Sequence, residues 1–123
     1  MVALLDFRLT TAELVDGTYV VTITGEADAA DVESLSDELE EVLGEGASSL
    51  IVDLLEVPFI DSAVLGVLLR FSRRLRSGGG ELVLVADDPR VLRTFEIAGL
   101  SAQFRFARSL TAAVEDAIQS SIS

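Results

Sequence analysis

The chain has 123 residues, half of them apolar, a formal net charge of −12, and neither cysteine nor histidine. This length supports one domain with a buried core and is short for two. The missing residue types exclude disulfides, thiolate catalysis, the usual structural zinc sites, and serine-histidine or cysteine-histidine hydrolases. The strong negative charge argues against a general electrostatic attraction to nucleic acid or anionic lipid.

The first elements are predicted to form a β-hairpin. Apolar and polar residues alternate from Leu5 to Leu9, and Tyr19 to Thr24 reads YVVTIT, which is rich in β-branched residues. Asp16-Gly17 between them is a strong turn signal. The chain is therefore expected to open with an antiparallel pair that ends at Gly25.

The next element is predicted to be an amphipathic and strongly acidic helix. Its apolar residues recur at helical spacing: Val32, Leu35, Leu39, Val42 and Leu43. No basic residue occurs between Arg8 and Arg70, whereas acids are frequent there. This asymmetry predicts an acidic face that would steer toward a basic protein surface; a merely solubilising face is the alternative.

The rest of the chain alternates strands with helices. Leu50 to Leu54 and Glu81 to Ala86 read as buried strands, and Phe104 and Phe106 as a short edge strand. Three helix starts follow from capping signals, at about Ser62, at Asp88-Pro89 and at Ser109. We predict one α/β domain over 1–123. Its mixed sheet has an antiparallel N-terminal pair and largely parallel later strands, with about four helices.

The polar pair Asp61-Ser62 lies between an apolar strand and an apolar helix, within FIDSAVLG. In α/β sheets, the point where a strand ends and a helix begins often carries functional groups, and free backbone amides there attract anions. The alternative is that Asp61 or Ser62 is simply an N-cap, which contributes about 1 kcal/mol. The local sequence leaves both interpretations open.

Other polar clusters fit structural roles. Gly78-Gly79-Gly80 ends a helix with no GK[ST] after it, so it reads as a C-cap and turn. The acids of the first helix lack the loop and central glycine of calcium sites. Asp28 and Asp61 could act as paired carboxylates, but no histidine, metal site or cofactor loop completes a catalytic set. We therefore predict no enzyme, and no cofactor or metal bound by this chain.

Five blocks, in order along the chain, carry a family resemblance: VTITGEAD (21–28), LIVDL (50–54), FIDSAVLGVLL (59–69), GGELVLV (79–85) and VLRTFEIAGL (91–100). Together they resemble the STAS domain of bacterial anti-sigma factor antagonists. The resemblance implies that Ser62 is the acceptor of a phosphate from a partner anti-sigma factor, itself a serine kinase of the GHKL type. ATP and magnesium would belong to that kinase. The unphosphorylated form would bind it and free a sigma factor, and the phosphorylated form would dissociate.

The resemblance also implies a docking surface, made of Asp28, Asp61, Ala63, Val64, Gly66 and Arg70. Two of these depart from the usual motif, in which Ser or Thr and then Gly follow Asp-Ser; here Ala63 and Val64 stand there. Ala63 leaves Ser62 as the one acceptor in the motif. Val64 is expected to face the partner, where its branched side chain would obstruct docking or require a matching pocket.

Two other functions remain open at this point. The chain could be a STAS accessory subunit of a lipid or solute transport complex that docks on an ATPase, with Ser62 structural. Direct binding of nucleotide or lipid is a third possibility, without a supporting glycine loop or basic pocket. The remaining expectations are a cytoplasmic monomer or weak dimer, since signal and membrane segments are absent from the sequence, and a phosphatase as a second partner.

Overall fold

A computed structural model describes residues 6–122 of the chain. They form a five-stranded sheet and four α-helices. The strands are β1 Arg8–Val15, β2 Thr18–Thr24, β3 Ser49–Glu56, β4 Leu82–Val85 and β5 Arg105–Ala107; the helices are α1 Val32–Gly44, α2 Ser62–Ser77, α3 Pro89–Ile97 and α4 Leu110–Ile122. The strands lie in sequence order, with β1 antiparallel to β2 and every later neighbour parallel. The predicted α/β class with a mixed sheet is confirmed.

The hairpin turns where the sequence indicates, but its first strand is longer than the alternating segment. Gly17 has φ +79°, which the turn requires and which glycine adopts without strain. The pairing runs from Arg8 opposite Thr24 to Val15 opposite Thr18. Pairing with β2 therefore extends β1 over residues 10–15, in which apolar and polar side chains alternate only weakly. Leu5 of the predicted segment lies outside the described residues.

The helices divide unequally between the two faces of the sheet. Apolar residues of α1, α2 and α3 pack on one face, and α4 packs on the other. Three successive crossovers between neighbouring parallel strands, all of one hand, place their helices on the same side. Side chains along β3 point alternately to the two faces of the sheet, so that Val52 packs against the three helices and Ile51 packs against α4.

The end of the chain follows the predicted pattern. Asp88 caps α3 with Pro89 in its first turn, and the Ser109 Oγ accepts a hydrogen bond from the Ala112 N–H at 3.1 Å. The strand β5 forms the edge of the sheet beside β4. Phe104, which lies just before β5, packs edge-to-face against Phe95 with ring centroids 5.3 Å apart.

Candidate functional site

Two loops meet at the carboxyl edge of the parallel strands, one after β2 and one after β3. The Ala27 N–H donates to the Phe59 carbonyl at 3.0 Å, and the Asp61 N–H donates to the Ala27 carbonyl at 2.8 Å. These bonds make a parallel bridge between Ala27 and Ile60, both of them buried. The bridge fixes both loops and brings Asp28 and Asp61, which are far apart in sequence, to the same edge.

Asp61, rather than Ser62, is the N-cap of α2. Its backbone is extended, and its Oδ1 accepts a hydrogen bond from the Ala63 N–H at 2.8 Å. Its carbonyl oxygen accepts from the Val64 N–H at 3.0 Å. Ser62 is the first residue of the helix and is exposed, and no hydrogen bond of its hydroxyl is found in the described part of the chain. The cap therefore leaves the serine hydroxyl free.

Asp28 has a similar structural task on the neighbouring loop. Its Oδ1 accepts from the Ala30 N–H at 2.8 Å, and its own N–H donates to Asp31 Oδ2 at 3.0 Å. This reciprocal pair is a capping box on a 3-10 turn, Ala29–Asp31. Asp28 is exposed. The carboxylates of Asp28 and Asp61 are thus held in place by backbone amides while they keep the edge around Ser62 negative.

The outward face of α2 continues this edge with very small residues. Ala63 and Gly66 are exposed, and a Cβ built on Gly66 would meet nothing within 4 Å. Residues 62, 66 and 70 lie one turn apart on one face of the helix. We call the exposed residues Asp28, Ser62, Ala63 and Gly66, together with the half-buried Asp61, the Ser62 surface.

Arg70 lies one turn beyond Gly66, at the margin of the Ser62 surface. It is exposed, and its Nη2 donates to Ser36 Oγ of α1 at 2.6 Å. Its guanidinium also lies over the ring of Phe71, 5.1 Å from the centroid. These contacts tie Arg70 to the α1–α2 junction, although the charge remains at the surface.

Val64 does not lie on this surface. Its side chain is completely buried, in the core formed with α1, α3 and the sheet. Because α2 begins at Ser62, the third helical residue already turns toward the sheet, together with Leu65 and Leu68. The expectation that Val64 presents its branched side chain to a partner is therefore wrong, and the position fills the core instead.

Phe59 is a residue that the sequence analysis missed. Its side chain is 49% exposed, although Val57 and Ile60 on either side of it are buried. Phe59 and Asp61 flank Ile60, and both are less buried than it. No regular alternation within VPFID indicates an exposed aromatic here, since Val57, two residues before Phe59, is buried.

Ser62 lines neither of two clefts of about 370 and 550 Å³ that the structure contains. No group of three or more metal-ligating side chains occurs within residues 6–122. Asp88, at the start of α3, has its pKa lowered chiefly by hydrogen bonds from Arg90. A free, exposed hydroxyl beside the carboxylates of Asp28 and Asp61 is suited to modification by a docked partner.

Comparisons with known proteins agree with this geometry. The family model of the STAS domain matches residues 10–117. The chain belongs to the STAS domain family. A STAS relative from Bordetella bronchiseptica, named as a candidate anti-sigma factor antagonist, BtrV, is 35% identical over 84% of this chain and 89% of its own. The anti-sigma-B factor antagonist of Listeria monocytogenes is 37% identical over 66% of this chain and 71% of its own.

Solved structures of anti-sigma factor antagonists have a similar fold. The crystal structure of an anti-sigma factor antagonist from Mycobacterium paratuberculosis superposes with a TM-score of 0.80 at 25% identity, over 90% of this chain and 93% of that one. The resemblance to STAS domains of anti-sigma factor antagonists is therefore confirmed. Within the residues that the structure describes, no helix combines the length and apolar character needed to cross a bilayer.

Proposed function

We propose that this STAS domain protein is an anti-sigma factor antagonist, which binds an anti-sigma factor of the GHKL serine kinase type and is switched off by phosphorylation of Ser62. The observation that carries the proposal is the free, exposed hydroxyl of Ser62, left uncapped because Asp61 satisfies the start of α2. The names of the two relatives support antagonism. A phosphatase would reverse the modification.

Phosphorylation would act through charge at the surface. A phosphate adds about 1.5 to 2 negative charges at pH 7, beside the carboxylates of Asp28 and Asp61. The amides of Ala63, Val64 and Leu65 already donate to Asp61. A phosphate on Ser62 therefore has few free amides to bind within the chain and projects toward the partner. Repulsion and the cost of burying a dianion would then oppose docking.

The alternative of a transport accessory subunit is favoured only by the two departures from the motif, Ala63 and Val64. Of these, Val64 lies in the core, where it does not meet a partner directly. At position 63, alanine replaces the Ser or Thr of the usual motif, so one exposed hydroxyl is missing from the surface. In the antagonist hypothesis, ATP and magnesium belong to the kinase, and this chain needs no cofactor of its own.

The first test combines partner capture with two substitutions. The tagged chain is purified from its own host, and both the co-purifying proteins and the Ser62 peptide are analysed by mass spectrometry. We expect an anti-sigma factor with a kinase domain and partial phosphate on Ser62. Ser62→Ala should keep binding but lose phosphorylation, and Ser62→Asp should weaken binding by about 10-fold or more, which is about 1.4 kcal/mol.

Ser101 provides the matched control. It is exposed and lies after α3, at the opposite edge of the sheet from Ser62. Ser101→Asp adds the same charge at a distance from Ser62. If the charge of Ser62→Asp acts locally, Ser101→Asp should leave the affinity for the anti-sigma factor unchanged. If Ser62→Ala is still phosphorylated, or if Ser62→Asp binds like the wild type, the assignment of Ser62 is wrong. A transport ATPase as the captured partner would overturn the antagonist function itself.

A further inference from the structure

Large exposed apolar side chains are rare in the part of the chain that the structure describes. Three stand out: Phe59 at 49% exposed, Ile97 at 77% and Ile118 at 39%. Phe59 differs from the others because it is aromatic and because it lies two residues before the cap of α2. Single exposed apolar residues need no explanation. An exposed aromatic three residues before a free serine, at the start of a helix with small exposed residues, does need an explanation.

The backbone around Phe59 holds this side chain outward. The Phe59 carbonyl accepts from Ala27 at 3.0 Å, and Val57 and Ile60 anchor the segment in the core at 1% and 2% exposed. The Val57 N–H donates to the Leu54 carbonyl, also at 3.0 Å, which closes the turn before it. The ring therefore stays exposed without a mobile loop, and little conformational entropy remains to be lost when a partner covers it.

The surroundings of Phe59 define what kind of partner would fit. Phe59 lies two residues before Asp61, and its carbonyl accepts from Ala27, the residue before the exposed Asp28, so the segment leads directly into the Ser62 surface and its small groups. Glu56, three residues before Phe59, is also exposed. An apolar centre flanked by the carboxylates of Asp28 and Glu56 is complementary to an apolar pocket with basic side chains on the facing rim; the guanidinium of Arg70 lies farther along α2, one turn beyond Gly66.

We propose that Phe59 is the apolar anchor of the docking surface, and that its ring enters an apolar pocket of the anti-sigma factor whose rim carries Lys or Arg side chains. This inference rests on the proposed function, since it takes the anti-sigma factor as the partner. Buried aromatic anchors near the centre of an interface commonly carry much of its affinity, while the charged margin sets orientation and encounter rate. Ser62 would then be the switch of this interface, and Phe59 its main source of affinity.

The test measures binding of purified Phe59→Ala, Phe59→Leu and Ile97→Ala to the anti-sigma factor captured in the experiment above, by surface plasmon resonance. All proteins, including the parent chain without substitutions, are prepared unphosphorylated and ATP is omitted, so that phosphorylation does not intervene. We expect Phe59→Ala to weaken the affinity by about 30-fold, mostly through a faster dissociation rate. Phe59→Leu, which stays apolar, should recover much of the loss.

Ile97→Ala is the matched control, because Ile97 is more exposed than Phe59 and lies at the far end of α3. It should bind like the parent, and thermal unfolding of all variants should stay close to that of the parent. If the parent binds and Phe59→Ala binds equally well, the anchor is wrong and the proposed function stands. If no anti-sigma factor binds the parent, both fall. If Phe59→Ala instead abolishes self-association, the ring belongs to an interface between copies and the inference is overturned.

Discussion

Asp61 and Ser62 separate two tasks at the start of α2. Asp61 supplies the oxygen that accepts from the Ala63 amide, and Ser62 keeps a free hydroxyl at the surface. The sequence located the helix start correctly but could not say which residue caps it, since aspartate and serine both serve as N-caps. Val64 was misplaced because the resemblance put it on the docking surface, whereas the third residue of α2 turns toward the sheet. Phe59 was missed because exposure depends on how the loop pairs with Ala27, a contact distant in sequence.

Gly66 gives a prediction at this scale. Nothing within the chain needs a glycine there, because its added Cβ would be free of contacts, and glycine in a helix costs about 1 kcal/mol relative to alanine. We therefore expect Gly66→Ala to raise the free energy of unfolding by about 0.5–1 kcal/mol, and to weaken binding to the anti-sigma factor if the partner packs closely there. Chemical denaturation and calorimetric binding measure the two effects.

Gly44 is the control for that pair of measurements. It ends α1 at the opposite edge of the sheet, and its Cβ would also be free of contacts. Gly44→Ala should leave binding unchanged. A Gly66→Ala chain that gains stability and binds at full strength would mean that no partner backbone approaches this turn of α2.

At the scale of elements, caps and turns were the features that the sequence predicted best. Asp16-Gly17, Ser62, Asp88-Pro89 and Ser109 all mark real boundaries, because turn and cap preferences act over a few residues. The extent of β1 was not predicted, since pairing with β2 decides it. The close contact of the turn before β4 with the residues before β3 also escaped notice, because no local pattern marks it.

That contact depends on Gly80. A Cβ there would lie 1.7 Å from the carbonyl oxygen of Ser48, a backbone atom that cannot rotate away. We expect Gly80→Ala to lower the free energy of unfolding by about 3 kcal/mol or more, as overpacking of this severity requires backbone movement. Gly78 in the same turn is the control, because its nearest contact would be an ordinary 3.5 Å. Urea unfolding of both variants measures the difference; equal stabilities would contradict the close approach.

At the scale of the whole molecule, the charge is segregated. The chain carries −12 in all, and no basic residue falls between Arg8 and Arg70, the span that contains α1 and the Ser62 surface. The loops after β2 and β3 bring Asp28, Glu56 and Asp61 to one edge, and the acids of α1 lie along the helix that leads away from it. A field of one sign over a binding edge raises the rate at which an oppositely charged partner arrives.

This arrangement predicts a kinetic signature. Between about 0.05 and 0.5 M salt, we expect the association rate with the anti-sigma factor to fall by about 10-fold or more, because screening removes the steering. The dissociation rate should change far less, since an apolar anchor is little affected by salt. Stopped-flow fluorescence separates the two rates. An association rate independent of salt would mean that the acidic edge has no part in the encounter.

The bridge between Ala27 and Ile60 has a consequence for dose and response. Because it holds both loops together, we expect modification of Ser62 to change the surface charge without moving either loop, so that each molecule is either competent or incompetent to bind. Under the proposed function, the amount of free anti-sigma factor then falls in proportion to the unmodified copies present until one of the two is exhausted. The protein would act as a stoichiometric titrant whose working concentration is set by the balance of kinase and phosphatase.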